Sequence, residues 1–298
     1  MRRLVAVLAL LLLAGCATWS GPPPAPFTVP YGSSAHTLRV DGLDRTFRTY
    51  RPRSTAGARA LPLVLVLHGS LGSGRQAEQA YGWNATADRD GFLVAYPDGV
   101  DRTWNGPAAD DIAFVADLVA AVGAAAPVNL ARVYATGISS GATLAYRLAC
   151  VTTLLAAIAP VAGTLAGPCP DPQPISVLHI HGTADKIIPY GGGPGPSALE
   201  LAGFWRRVDD CPRPRFSTSG LVTTTTAICP GGHLVVLKAI SGAGHQWPGA
   251  GAPGAAQPGA AVPGPAAPGP VVARLRGLDP PAGVLDATAA IASFFRLS

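Results

Sequence analysis

RVYATGISSGATLAY, residues 132–146, joins a short apolar run at 133–136 to a stretch of good helix formers through Gly137-Ile138-Ser139-Ser140-Gly141. A strand that enters a helix through so short a turn forces its central residue into a strained backbone conformation. Small residues two before and two after then relieve contact with neighbouring elements. Ser139 would stand at the top of a sheet, at the start of a helix. The same five residues also suit a plain strand-to-helix turn with Ser139 as helix cap, so the flanking elements and the residues further along must decide.

The flanks alternate. Residues 63–67 form a continuous apolar run, too uniform to have one wet face, which suits a buried parallel strand. Pro62 sits at its start, where a missing N–H is tolerated. Residues 37–40 and 46–50 read as two strands turned at Asp41-Gly42, 76–89 as a helix, and 92–96 as a strand closed by Pro97-Asp98-Gly99. Asp110 is a helix cap before Ile112, Val115, Val119 and Val122 at helical spacing. Beyond the serine come strands at 156–161, 177–181 and 234–240 and helices at 198–208 and 286–297. Alternating strand and helix predict an α/β fold with a doubly wound, mostly parallel sheet. Sites in such sheets lie just past the C-terminal ends of the strands.

Serine is a weak nucleophile at neutral pH and needs a base, an orienting carboxylate and donors for an oxyanion. In the hydrolase order the acid follows the serine and the histidine comes last. Asp185 lies just past the strand at 177–181 and His245 just past the strand at 234–240. Asp171, Asp209 and Asp210 fall in irregular or helical stretches, and His233 precedes its strand. Ser139, Asp185 and His245 are therefore the candidate triad. Ser140, directly after the nucleophile, offers one backbone N–H for the oxyanion hole, and Ser70, after the strand at 63–67, offers the second. Residues 69–74, GSLGSG, have neither the order nor the Lys ending of a nucleotide phosphate loop. His179 and His181 share one strand face, as metal ligands would, but no third ligand of matching position accompanies them. Trp104 and Trp247 follow strands at the same sheet edge, where they would pack or line a cleft for aromatic or polymeric esters.

The chain has 298 residues, enough for one large domain, and a net charge of +5 with no basic block interleaved with aromatics. That pattern argues against a nucleic-acid partner. Arg2-Arg3 and the apolar run at 4–14 form a signal peptide, too short to span a membrane, that ends in Leu13-Ala14-Gly15-Cys16. This ending resembles the lipobox of bacterial lipoproteins, in which the cysteine is lipidated and becomes the first residue. The expected layout is a signal peptide at 1–15, a lipid-anchored Pro-rich tether at 16–30 and a catalytic domain at 31–298. The Gly/Pro/Ala segment at 249–270 reads as a flexible loop inserted before the last helix. Export puts Cys150, Cys169, Cys211 and Cys229 in an oxidising compartment. Three pairings are open, and local pairing, Cys150 with Cys169 and Cys211 with Cys229, closes two short loops worth about 3 kcal/mol each. The Thr223–Thr226 run, close to Cys229, suits a disulfide-pinned strand.

RVYATGISSGA from Arg132, with IAPVAGT from Ile158, LHIHGTADKIIPY from Leu178 and GHQWPG from Gly244, resembles the esterase family of polyhydroxybutyrate depolymerases and feruloyl or acetylxylan esterases. DDIAFVADLV, from Asp110, is similar to the family's helix before the elbow strand. The resemblance runs from about Leu38 to Leu297 and implies an α/β-hydrolase fold with Ser139, Asp185 and His245 as its triad, and no cofactor. It implies ester substrates, polymeric ones included; the chain is expected to be a monomer that meets the membrane only through the lipid on Cys16. A binding protein with an inactive hydrolase fold would lack a triad member, and none is missing. A small-ester or peptide hydrolase is a nearer alternative. Ser140 departs from the Asn or Ala common after the nucleophile, a change that keeps the backbone donor.

The anchor is directly testable. Cys16→Ser should abolish lipid labelling and release or misprocess the protein, whereas an unmodified mature N-terminus elsewhere, read by mass spectrometry, would refute lipidation.

Overall fold

The computed structural model describes residues 27–104, 110–249 and 283–297. The expected signal peptide, Cys16, most of the expected tether, Asn105 and nearly all of the segment at 249–270 lie outside the described residues. Ten strands form one sheet: β1 (Gly32–Val40), β2 (Leu43–Arg51), β3 (Leu61–Leu67), β4 (Leu93–Pro97), β5 (Val128–Ile138), β6 (Ala157–Val161), β7 (Ser176–Gly182), β8 (Arg215–Ser219), β9 (Val222–Ile228) and β10 (Leu234–Ile240). Their order is β1-β2-β4-β3-β5-β6-β7-β10-β9-β8. The six central strands, β4 to β10 in that order, run parallel, and an antiparallel pair closes each edge.

Helices α1 (Gly74–Ala80), α2 (Trp83–Asp90), α3 (Asp111–Ala125), α4 (Ser140–Val151), α5 (Ala198–Val208) and α6 (Ala287–Phe294) cover both faces. The side-chain alternation of β3 shows why two layers are needed. Leu63, Leu65 and Leu67 point into one core with Phe114, Leu118, Leu144 and Trp205, from α3, α4 and α5. Val64 and Val66 point into the other with Ala77, Trp83, Ile291 and Phe295, from α1, α2 and the C-terminal helix region. All five β3 residues are fully buried, each worth about 1.5–3 kcal/mol relative to exposure. A strand wetted on either face could not carry this sequence.

Several boundaries differ from the sequence expectations. The helix expected at 76–89 is two, because Gly82 adopts φ 74° and breaks the run between α1 and α2. Ser73 caps the first by accepting from the Gln76 N–H. Strands β1, β2 and β5 are longer than their apolar centres, since ladder pairing carries them past the hydrophobic residues. The Asp41-Gly42 turn holds both residues at positive φ, 48° and 81°, the twist that two-residue hairpins favour. Strand β8 has no apolar periodicity and every residue is exposed; it exists because β9 supplies the ladder. Asp110 caps α3 as expected, accepting from the Ile112 and Ala113 N–H groups. Arg45 of β2 is buried against Asp111 at 2.6 Å and lies 4.0 Å over the Phe114 ring, tying the sheet edge to α3.

Both local disulfides are present, Cys150–Cys169 and Cys211–Cys229. The first joins the end of α4 to the approach to β7, and the second joins the end of α5 to the end of β9. By the strand directions both close at the N-terminal edge of the parallel strands, opposite the edge that carries Ser139, Asp185 and His245. Replacing Cys211 and Cys229 together by Ala should therefore lower stability by about 3 kcal/mol while leaving kcat nearly unchanged. A urea midpoint equal to wild type, or a lost kcat in folded protein, would contradict that separation.

Candidate active site

Ser139 connects β5 to α4 with φ 58° and ψ −121°, a conformation that costs a non-glycine residue about 1–3 kcal/mol unless its surroundings impose it. They do. Its N–H donates to the Val161 carbonyl at 3.1 Å and its own carbonyl accepts from the Thr143 N–H at 3.0 Å. A Cβ placed on Gly137 would lie 2.7 Å from both the Leu67 carbonyl oxygen and the Leu67 Cβ. One on Gly141 would run into the carbonyls of Leu67 and His68. Only glycine lets the turn lie this close to the end of β3. The side chain of Ser139 makes no capping hydrogen bond, so the plain cap reading fails and the half-buried hydroxyl is left for other use.

Asp185 follows β7 and His245 follows β10, adjacent parallel strands. The two loops are sewn together. Thr183 N–H donates to the Ile240 carbonyl and Ala184 N–H to the Ala243 carbonyl, each at 2.9 Å, and Gly242 N–H donates to the Thr183 hydroxyl at 2.9 Å. Across this seam the Nδ1 of His245 lies 2.9 Å from Asp185 Oδ2. With an ionised carboxylate as the acceptor, Nδ1 carries the proton of this hydrogen bond. The other carboxylate oxygen, Oδ1, accepts from the N–H groups of Ile187 and Ile188, both at 2.9 Å. Burial would raise the Asp185 pKa, but hydrogen bonds from His181 and His245 and the Ile188 N–H outweigh it. The group is held well below the ordinary carboxylate range and stays ionised at neutral pH.

The third element is the turn after β3. Gly72 N–H closes on the Gly69 carbonyl at 2.9 Å, and a Cβ on Gly69 would sit 3.4 Å from that of Ser139, so the turn lies against the elbow. Its anchors are residues that sequence reasoning missed. Buried His68 accepts from the Gly99 N–H at Nε2, 3.0 Å, and donates from Nδ1 to the Gly69 carbonyl, 2.8 Å. Burial lowers its pKa, favouring the neutral ring this pattern requires. Arg102 donates to the Gly72 carbonyl at 3.2 Å and to the Leu71 carbonyl, and Leu71 N–H donates to the Arg102 carbonyl at 2.8 Å. Ser70 is exposed at the tip of this turn, and among the described residues its N–H has no acceptor. Ser140 opens α4, where the first N–H groups lack intrahelical partners.

The tryptophans differ from the cleft role considered for them. Trp104 is 5% exposed, packed on His68 and donating to its carbonyl at 2.7 Å. Trp247 is 4% exposed, stacked on Tyr81 at 4.5 Å with its N–H on Thr288 at 3.0 Å. Both brace the loops around the site rather than offering an open face. His179 and His181 share a strand face as expected, but their nitrogens point at each other, 2.8 Å apart, instead of converging on a metal. Among the described residues no cluster of three His, Cys, Asp or Glu side chains suits a metal ion.

A parallel sheet wound on both faces, with an elbow serine after its third parallel strand, is an α/β-hydrolase fold. The acetyl xylan esterase of Aspergillus awamori shares it with a TM-score of 0.59 at 16% identity, over 71% of this chain and 94% of that one. The S-formylglutathione hydrolase of Agrobacterium tumefaciens does so with a TM-score of 0.52 at 14% identity, over 74% and 91%. The model of the family described as Esterase PHB depolymerase matches residues 46–172. "Putative esterase NocK" of Nocardia uniformis subsp. tsuyamanensis is 33% identical over 81% of this chain and 89% of that protein. Feruloyl esterase B of Piromyces equi is 30% identical over 65% of this chain, which spans only 41% of that longer protein. The chain belongs to the polyhydroxybutyrate depolymerase family of esterases.

The seam between the Asp185 and His245 loops yields a test. A Cβ on Gly182 would lie 2.6 Å from the Ala243 carbonyl carbon and 2.8 Å from the Gly244 oxygen. Gly182→Ala should therefore part the loops and lower ester-hydrolysis kcat by about 100-fold, the usual effect of an ångström's misplacement. Circular dichroism should remain near native. Unchanged kcat would show that the seam does not set the Asp185–His245 geometry.

Proposed function

We propose that this chain is an exported serine esterase that cleaves carboxylic esters through an acyl-enzyme on Ser139. The observation that carries the reading is the strained serine at one strand end together with the Asp185–His245 hydrogen bond at the same edge of the sheet. Ser139 Oγ attacks the ester carbonyl while His245 Nε2 takes its proton, and Asp185 holds the ring in the tautomer with its hydrogen on Nδ1. The backbone N–H groups of Ser140 and Ser70 receive the oxyanion. The tetrahedral intermediate collapses, His245 returns the proton to the departing alcohol, and water repeats the sequence to free the acid. The residues themselves supply every step, without a cofactor.

The substrates we favour are esters borne on polymers, either a polyhydroxyalkanoate-type polyester or the feruloyl and acetyl groups of polysaccharide. The family description and the relatives named as feruloyl and acetylxylan esterases support this class. Two disulfides support export. Lipidation at Cys16 would then hold the domain at a bacterial membrane facing the periplasm or the exterior.

Ser139→Ala should lower kcat by on the order of 10⁶, His245→Ala by a similar factor and Asp185→Ala by on the order of 10⁴. The Ser139/His245 double variant should lose little more than either single one, because the groups act as a unit. A serine-directed phosphonate should label Ser139 alone. Polyhydroxybutyrate film, methyl ferulate and acetylated xylan then rank the substrate class. Wild-type turnover by Ser139→Ala would end this reading.

A further inference from the structure

Behind Asp185, away from solvent, three polar side chains form a line that the steps above do not use. Tyr146 Oη, on α4, lies 2.5 Å from His179 Nδ1, and His179 Nε2 lies 2.8 Å from His181 Nδ1. His181 Nε2 in turn lies 2.8 Å from the Ile188 carbonyl and 3.2 Å from Asp185 Oδ2. The three are 0%, 1% and 2% exposed. The two imidazoles stack at 5.0 Å with planes 5° apart, as residues two apart on one strand face can.

Chemistry restricts where the protons sit. A carbonyl and a carboxylate only accept, so His181 Nε2 carries hydrogen. One hydrogen lies between the facing His179 and His181 nitrogens. Burial, reinforced by the neighbouring His181, holds the His179 pKa far below its ordinary value, so that ring is neutral. If the shared hydrogen sat on His181, that ring would be a permanent cation beside Asp185. It would cancel the charge the carboxylate needs when His245 becomes an imidazolium. If it sits on His179 Nε2, both rings are neutral and His179 Nδ1 accepts from the Tyr146 hydroxyl, whose pKa burial pushes far up.

Building on the triad roles proposed above, we propose that Tyr146, His179 and His181 are positioning residues. They form a neutral chain of hydrogen bonds, donating from Tyr146 toward Asp185, that fixes the carboxylate and lends it an N–H without neutralising it. Asp185 Oδ2 then serves two donors, His181 and His245, while Oδ1 serves two backbone N–H groups. Loss of the His181 donor leaves the carboxylate more basic, and His245 keeps its proton to higher pH. Among the described residues, Tyr190 is a further titratable side chain facing the two rings, 5.8 Å from His181. Across β7 toward β10 their register neighbours are the apolar Leu237 and Ala239.

Nitrogen-15 NMR of the histidine-labelled protein reads the proton order directly. Between pH 5.5 and 9 both His179 and His181 should be neutral with hydrogen on Nε2, in wild type and in Ser139→Ala alike. Tyr146→Phe, which removes one hydroxyl, and His181→Phe, which removes the donor, should each raise the acidic-limb pKa of kcat/KM by about half a unit. That is about a threefold loss of rate below the limb, with KM unchanged. His181→Gln, whose amide can donate from the same place, should restore the limb. A cationic ring, a hydrogen on Nδ1 of either ring, or unmoved limbs in folded Tyr146→Phe and His181→Phe would overturn the proposal. Failure of the triad reading shows separately, as phosphonate labelling away from Ser139, and leaves the NMR result standing.

Discussion

The close approach of the β5–α4 turn to the end of β3 is the contact on which the rest of the site depends. Gly137 and Gly141 have no room for a Cβ because Leu67 and His68 lie against them. That approach, with the hydrogen bonds to Val161 and Thr143, holds Ser139 at a positive φ. The same contact brings the Gly69–Gly72 turn beside the serine, so the strained elbow and the nearness of the Ser70 turn share one cause. Strain at Ser139 is tolerable because β3 and the 133–138 part of β5 are buried on both faces and cannot shift to relieve it.

A second close approach brings Asp185 and His245 together. Gly182 at the end of β7 abuts the Ala243–Gly244 backbone after β10, and three loop hydrogen bonds close the seam. Sheet order explains the spacing along the chain. Strands β6 and β7 separate β5 from β10, so the chain must make three connections, β5 to β6, β6 to β7 and β7 to β10, before it can place His245. The antiparallel β8–β9 hairpin sits beyond β10 and, pinned by Cys211–Cys229, protects that edge without entering the site.

Two buried polar arrangements beneath the site have their donors and acceptors paired. His68 clamps the turn after β3 in one tautomer, and the Tyr146–His179–His181 line backs the carboxylate. Each arrangement joins residues from different elements. Tyr146 and His179 are 33 positions apart, and His68 reaches the Gly99 N–H across 31. Their polarity is satisfied only once the sheet has formed.

The sequence by itself determined the strand–helix alternation, the glycine-flanked serine and the chain order of Ser139, Asp185 and His245, and it pointed to the local disulfide pairs among three possible pairings. These rest on short-range features: apolar runs, glycine spacing, strand-end position and loop length. The break at Gly82, the strand at Arg215–Ser219 and the lengths of β1, β2 and β5 were not legible, because a left-handed glycine and a borrowed ladder carry no hydrophobic period. Only the tertiary structure decided that Trp104 and Trp247 brace loops and that His179 and His181 face each other. What a buried polar or aromatic side chain does depends on what lies across from it, and that neighbour is chosen by the fold.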